Sequence, residues 1–220
     1  MKYAADFGAK LLGISAFAAL LASCGTIDGI NDNAAKHISP GSSYGAVSDY
    51  PVKIGKPYKV KGKTYTPKDV ARYDEVGYTA WYGKEHAGKS TANGERFNPN
   101  GISAAHKTLP LPSYVEVTAL DSGRTILVRI NDRGPFTENR LIDLSYGAAK
   151  QLGVVRQGVA AVRVRRVNPS EQERATLRGG GAVVERPRAS DSLLSVLRKS
   201  LNDLASMNSK GAVQTAALAD

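Results

Sequence analysis

The stretch RTILVRINDRGPF, residues 124–136, has the pattern of a β-strand that runs directly into charged residues. Apolar side chains alternate with other residues from Ile126 to Ile130, which is the pattern of a strand with one buried face. Counted by twos, Asp132 falls on that same face, and Gly134-Pro135 then ends the strand. The parity predicts a carboxylate directed along the core-facing side chains, where it either caps structure or takes part in chemistry.

Similar signals on both sides indicate a β-rich domain over residues 76–168. Short strand-like runs such as YVEVTAL are separated by turn signals, of which Asn93-Gly94 is the strongest. Ser145 can cap a short helix and Gly153 can end it. Roughly six strands and one helix in about 90 residues predict a mainly β domain, and the pattern alone leaves a small barrel and a sandwich open.

The N-terminal run MKYAADFGAKLLGISAFAALLASC predicts a lipoprotein signal peptide over residues 1–23. Its apolar part is too short to span a bilayer, and the ending Leu-Ala-Ser-Cys resembles the bacterial lipobox, in which Cys24 becomes the lipidated first residue. Cys24 is the only cysteine, so no disulfide can form within the chain. We expect a lipid anchor on Cys24 in a membrane of the cell envelope, and Gly25 favours the outer over the inner membrane.

The flanks of the β-rich domain have a different composition. Residues 24–56 read as a flexible tether and residues 57–75 as an extended or hairpin lead-in. Residues 169–220 are predicted to form a polar linker followed by an amphipathic helix. The helix carries an apolar stripe at Leu193, Leu197, Leu201 and Leu204. It either docks on the domain or contacts a membrane surface or a partner such as a division or envelope protein.

Charge and motif content narrow the function. The formal net charge of +10 at pH 7 favours an anionic neighbour, and for an exported protein that is cell wall or lipid rather than nucleic acid. His86 and His106 lie far apart and HExxH and CxxC motifs are absent, so no metal or other cofactor is expected. No G-x-S-x-G elbow supports a serine nucleophile. A carboxylate-based mechanism with at most one histidine remains.

Three titratable residues beside turns or strand ends are candidates for such a mechanism: Glu95, His106 and Asp132. A carboxylic acid can protonate a glycosidic oxygen near neutral pH only if its pKa is raised. Desolvation of Asp132 and the charge of Glu95 would raise that pKa, whereas Arg129 and Arg133 would lower it. Taken singly, an Asp before Arg-Gly-Pro is more often a turn former than a catalytic acid.

Three longer stretches bear on this choice: GYTAWYGKEHAGKSTANGERFN, SAAHKTLPLPSYVEVTALDSGRTILVRINDRGPF and RLIDLSYGAAKQLG. Together, over about residues 76–167, they resemble the rare lipoprotein A family of bacterial envelope proteins. The resemblance implies a six-stranded double-psi β-barrel and lytic transglycosylase activity on peptidoglycan. It also implies a preference for glycan strands lacking stem peptides and a role in cell separation. The family's functional residues in TANGE, AAHKTLP and NDRGPF match Glu95, His106 and Asp132.

Under this resemblance, Asp132 is expected to protonate the oxygen between N-acetylmuramic acid and N-acetylglucosamine, while the muramic acid's 6-hydroxyl closes a 1,6-anhydro ring. Glu95 and His106 are expected to hold the network and tune the pKa of Asp132. Arg133 is expected to position polar or anionic groups of the substrate, or to pair with Glu95.

Two aromatic residues complete the candidate site. Trp81 and Tyr82 either stack on sugar faces or pack in the core. Two departures from the family stand out: His86-Ala87-Gly88 follows WYGKE where members often have Phe-His-Gly, and the tail is too short and polar for the peptidoglycan-binding SPOR domain that many members carry. A hydrolase and a non-catalytic, expansin-like wall-binding lipoprotein are the competing functions.

Overall fold

The computed structural model describes residues 47–216, with side chains described as far as residue 207. The predicted signal peptide over residues 1–23, the lipidation site Cys24 and most of the tether lie outside the described residues.

The described part of the chain has eight strands, of which the last six form a closed barrel. The strands are β1 Tyr58–Val60, β2 Lys63–Tyr65, β3 Asp74–Tyr82, β4 Ser103–His106, β5 Ser113–Ala119, β6 Thr125–Asp132, β7 Arg140–Ser145 and β8 Ala160–Arg166. The strand order in the barrel is β3-β7-β4-β6-β5-β8. Pairs β3–β7 and β4–β6 are parallel and the other four are antiparallel. The predicted mainly β, six-stranded barrel is therefore confirmed.

The barrel interior is filled by alternate apolar residues of the strands, as the period of two requires. Each such side chain, when fully buried, contributes about 1.5–3 kcal/mol to the free energy of unfolding. The fully buried set from four strands is Val115, Val117, Ile126, Val128, Ile130, Ile142, Leu144, Val162 and Val164. These contacts make the barrel a rigid frame for the side chains on its outer face.

Helix α1, Tyr146–Leu152, follows β7 directly. The Ser145 hydroxyl accepts a hydrogen bond from the Ala148 N–H at 3.1 Å, and Gly153 ends the helix with a φ of 85°. Both predicted helix boundaries are confirmed, because the serine satisfies an orphan N–H and only glycine adopts that φ without strain.

The segment after the barrel differs from the predicted linker. Helix α2, Glu171–Arg178, begins at a capping box in which Ser170 and Glu173 bond each other's backbone N–H. Leu177 is buried and joins the barrel's core cluster. The polar composition of this segment obscured a short helix that is held by its cap and one apolar anchor.

The last ten residues of the predicted tether, 47–56, also pack on the barrel. The Lys53 N–H donates to the Leu111 carbonyl at 2.7 Å, and the Leu111 N–H donates back to the Lys53 carbonyl at 2.8 Å. Asp49 is buried. We call residues 47–56 the N-terminal segment, and for this part the prediction of a flexible tether is wrong.

Strands β1 and β2 form the hairpin considered for the lead-in, with Tyr58 opposite Tyr65. The two rings stack with centroids 5.4 Å apart, and both contact the ring of Phe136, which follows the β6 stretch. This basic hairpin, residues 58–65, is thereby fixed against the loop that ends in Phe136.

Helix α3, Asp191–Ala216, forms from the predicted amphipathic segment. Leu194, Leu197 and Leu201 are buried against Leu120 on the barrel surface, so the first turns dock on the barrel. Among the described residues, no helix has the length and apolar character needed to cross a bilayer.

Candidate active site

Asp132 lies on the outer face of the barrel because the β4–β6 register shifts just before it. Ala104 pairs with Ile130, but the next residue, Ala105, pairs with Asp132, so that Asn131 is an extra residue in β6. An extra residue reverses the alternation of side chains along the strand. Asp132 therefore shares the face of Ala105 and not that of Ile130, and the predicted core-facing direction of its carboxylate is wrong.

The same face carries a second carboxylate. Ala105 of β4 pairs with Asp143 of β7, and Asp143 in turn pairs with Ala80 of β3. Asp132 and Asp143 thus flank Ala105 across three adjacent strands, with Cα atoms roughly 10 Å apart, two interstrand spacings. The alanines between and beside the carboxylates present only a methyl group at each position. We call Asp132, Ala105, Asp143 and Ala80 the carboxylate row.

The two carboxyl groups of the row share an electrostatic property. Oδ1 of Asp132 accepts hydrogen bonds from the N–H groups of Ala92 and Arg133, each at 2.8 Å. Burial raises the pKa of Asp132, against the opposing effect of these N–H groups and of the Arg133 charge. Burial also raises the pKa of Asp143, whose Oδ2 lies 3.3 Å from Nη2 of Arg140. Both groups hold a proton to higher pH than an exposed aspartate does.

Sequence reasoning missed Asp143. In RLIDLS it stands between Ile142 and Leu144, both fully buried, so alternation alone places it on the outer face. A mid-strand carboxylate on the outside of a barrel is ordinary until its neighbours are known. Its significance comes from the pairing with Ala105, which is visible only in the fold.

Glu95 lies beside the row as an anchor of the outer loop, residues 87–97. Its Oε2 accepts from Nη1 of Arg129 at 2.6 Å and from Nδ2 of Asn131 at 2.9 Å. Its Oε1 accepts from Nδ2 of Asn93 at 2.7 Å. Both oxygens are therefore engaged by N–H donors, and Glu95 ties the loop to the strand that carries Asp132.

The ion pair of Glu95 continues into a buried network. Nε of Arg129 lies 3.2 Å from Oδ1 of Asp49, whose Oδ2 accepts from Nη1 of Arg178 at 2.7 Å. The Arg129 and Asp49 side chains are only 3% and 5% exposed. The N-terminal segment and helix α2 are thus connected, through Arg129, to Glu95.

His106 lies on the other face. It pairs with the core residue Ile142, and its Nδ1 accepts from the N–H groups of Thr108 at 3.2 Å and Leu109 at 3.1 Å. This assigns the proton to Nε2, which donates to the Tyr73 hydroxyl at 2.9 Å. Burial lowers the pKa of His106 to about 3, so the ring is neutral at neutral pH. The structure does not bring His106 together with Asp132 or Glu95.

Trp81 also faces inward. It pairs with the core residue Leu144, and its indole N–H donates to the Val155 carbonyl at 3.3 Å. Its ring meets that of Tyr146 edge-on, with centroids 5.4 Å apart. Of the two alternatives considered for Trp81, these contacts favour core packing.

Tyr82, one residue further, lies on the outer face with the row. Its ring packs against Phe97 of the outer loop with centroids 4.5 Å apart. The pKa of Tyr82 is raised well above its usual value by burial and by the negative charges of Asp132 and Asp143. The hydroxyl of Tyr82 therefore stays protonated within the field of both carboxylates.

Arg133 is held by backbone carbonyls. Nη1 donates to Leu109 at 2.5 Å and Nη2 donates to Ile54 at 2.8 Å. It does not pair with Glu95, the alternative considered from sequence, because Arg129 occupies that carboxylate. Within residues 47–216, no group of three or more His, Cys, Asp or Glu side chains is placed to hold a metal ion.

Comparison with known proteins finds sequences similar to the barrel region. A family model described as lytic transglycolase matches residues 74–164. Proteins named endolytic peptidoglycan transglycosylase RlpA are 55% identical over 114 residues in Pseudomonas aeruginosa, 50% over 115 in Neisseria meningitidis and 47% over 125 in Rickettsia felis. The matches cover 51%, 52% and 56% of this chain, and 33%, 48% and 54% of those relatives. The chain therefore spans about a third to a half of the length of these relatives.

Proposed function

We propose that this chain, whose residues 74–164 form a double-psi β-barrel of the lytic transglycolase family, is an endolytic peptidoglycan lytic transglycosylase. It cleaves the β-1,4 bond between N-acetylmuramic acid and N-acetylglucosamine within glycan strands and prefers strands without stem peptides. The observation that carries the proposal is the carboxylate row, with two desolvated carboxyl groups on the outer face of a barrel of this family.

Asp132 is the general acid. Its carboxyl proton passes to the glycosidic oxygen as the bond from that oxygen to the anomeric carbon breaks. The muramic acid's 6-hydroxyl oxygen attacks the anomeric carbon and closes the 1,6-anhydro ring. The hydroxyl proton returns to the Asp132 carboxylate, so the acid is regenerated and no water is consumed.

The neighbouring groups support this step without exchanging protons. Asp143, when ionised, lies on the same face as Asp132 and stabilises the positive charge that develops at the anomeric carbon. Glu95 is a positioning residue, since it fixes the outer loop whose Ala92 N–H binds Asp132. Tyr82 and Arg133 border the row and contact the sugar chain, whereas His106 and Trp81 stabilise the frame behind it.

The cellular setting follows from the substrate. Peptidoglycan lies in the cell envelope, and a lipid on Cys24 would tether the barrel within reach of it. In that position the enzyme remodels wall during cell separation. The exposed side chains Val196, Leu204 and Met207 of α3 are available to a division or envelope protein.

Product analysis tests the proposed activity. Purified protein is incubated with glycan strands freed of stem peptides, and the new chain ends are identified by mass spectrometry. We expect 1,6-anhydro-N-acetylmuramic acid ends. Reducing ends would show a hydrolase instead, and retained binding to glycan without cleavage would show a wall-binding protein.

A further inference from the structure

Three cationic side chains cluster at the Asp143 end of the carboxylate row. Lys107 follows β4 two residues after Ala105, and its Nζ donates to the Arg140 carbonyl at 2.5 Å. The Arg140 guanidinium lies 3.3 Å from the Asp143 carboxylate. Lys107 and Arg140 are both partly buried, which restricts their charges to positions beside the carboxylate row.

The third cation is Lys63, on the basic hairpin. In the hairpin register, Lys63 lies opposite Val60 and shares the face of Tyr58 and Tyr65, which is the face packed on Phe136. The Tyr58 hydroxyl donates to the Lys107 carbonyl at 2.7 Å. These contacts hold the hairpin, and with it Lys63, next to Lys107.

The cluster has more positive than negative charge. Burial first, and then the charge of Lys63, lower the pKa of Lys107, while the charge of Asp143 opposes this. The pKa of Asp143 is itself raised by burial, so this carboxyl group is ionised less readily than an exposed one. Cations held together in this way favour binding of an anion between them.

We propose that Lys63, Lys107 and Arg140 form a subsite for the lactyl carboxylate of N-acetylmuramic acid. The proposal rests on the proposed function and specifies how its substrate is recognised. Muramic acid differs from glucosamine by a lactyl ether at one oxygen. Its carboxyl group is a free anion when no stem peptide is attached and a neutral amide when one is. Because the subsite adjoins Asp143, a carboxylate bound there places a muramic acid residue next to the row.

Matched sugar chains separate this contact from general glycan binding. The probes are a tetrasaccharide of alternating N-acetylglucosamine and N-acetylmuramic acid, the same chain with its lactyl carboxyls converted to methylamides, and chitotetraose. Binding to the full chain is followed by titration calorimetry or NMR, which need no cleavage. We expect the free-carboxylate chain to bind about tenfold tighter than the other two.

Substitutions assign the preference to the subsite. Lys63→Gln and Lys107→Gln should each remove most of that preference, and Lys107→Arg should retain it because the charge is kept. Lys59→Gln is the control, since Lys59 lies on the opposite face of the same hairpin. Equal binding of the three chains by the wild-type protein would overturn the subsite, as would an equal loss in the Lys59→Gln variant.

The outcome is independent of the proposed activity. If the wild-type protein cleaves glycan but binds the three chains equally, the proposed transglycosylase activity is supported and the proposed subsite is wrong. Charge-dependent binding that needs Lys63 and Lys107, without any cleavage, retains the subsite and rejects the enzyme.

Discussion

The buried ion-pair network makes a sharp prediction about residues outside the barrel. Asp49 accepts from Arg129 through Oδ1, from Arg178 through Oδ2, and from the Tyr114 hydroxyl through both oxygens. In Asp49→Asn, one of the two oxygens becomes an NH2 group. The N–H groups of the new amide then face N–H or O–H donors of its neighbours. The negative charge between the guanidinium groups of Arg129 and Arg178 is also lost.

The magnitude follows from burial. Removing one partner of a buried ion pair costs about 3–5 kcal/mol, because the remaining charge is left uncompensated. The Arg129–Asp49 pair, 3% and 5% exposed, belongs to this class. The Arg163–Asp74 pair is 20% and 42% exposed, and pairs of that kind contribute about 0–1 kcal/mol. For a protein of this size, the loss at Asp49 lowers the melting temperature by about 10 °C.

Urea unfolding of the wild type, Asp49→Asn and Asp74→Asn at pH 7 measures the difference. We expect the free energy of unfolding to fall by several-fold more in Asp49→Asn than in the control Asp74→Asn. Equal losses in the two variants would refute the reasoning that the N-terminal segment and α2 are locked onto the barrel through Arg129.

Three further predictions concern the carboxylate row and the buried His106. Because Asp132 must be protonated to act, the cleavage rate falls as pH rises through the raised pKa of Asp132. Arg133→Gln removes a positive charge that lowers this pKa, so the alkaline limb of the pH–rate profile should move to higher pH. An alkaline limb that stays in place or moves to lower pH would contradict this. Asp143→Asn lowers the cleavage rate at least about tenfold at pH 7, whereas wild-type rates would remove Asp143 from the mechanism. The pKa of His106 is lowered from 6.5 to about 3 in the folded protein. As pH decreases through this interval the unfolded state binds the proton first, so the free energy of unfolding falls. In His106→Gln, urea midpoints measured from pH 7 to pH 4 should therefore depend less on pH than those of the wild type. If the urea midpoint of His106→Gln depends on pH as strongly as that of the wild type, other groups cause the dependence.

The barrel could be predicted because its signals are local. Alternation of apolar residues, the turn at Asn93-Gly94 and the cap at Ser145 each depend on neighbours a few residues away. The observed Gly94 N–H to Thr91 carbonyl bond of 2.9 Å and the Ser145 cap match these signals. The family resemblance placed the same elements in a barrel, and the strand pairing confirms it.

The direction of Asp132 could not be predicted by counting. Ile126, Val128 and Ile130 keep one parity, and the extra residue that follows them, Asn131, is polar like Asp132 and Arg133. Because the bulge lies at Asn131 and Asp132, which are both polar, the order of apolar residues does not reveal it. The same register shift separates Asp132 from His106 and Trp81. Without it, Asp132 would pair with His106 and lie on the inner face with both residues.

The flanking segments were misjudged for a different reason. Asp49 and Arg178 are 129 residues apart in sequence, and each stands in a stretch whose composition is typical of a linker. Their order comes from a buried charge network completed by Arg129, which no local window contains. The segments are as polar as a linker, but their polar side chains bind each other and the barrel, which composition alone does not indicate.

Glycan cleavage by Asp132→Asn tests directly whether Asp132 is the general acid. The asparagine oxygen can still accept the N–H groups of Ala92 and Arg133, so the fold and glycan binding should be kept. Initial rates on stem-peptide-free glycan are compared with those of the wild type at one pH. We expect cleavage to fall about a hundredfold or more with glycan binding retained. A variant that cleaves at the wild-type rate would show that Asp132 is not the acid.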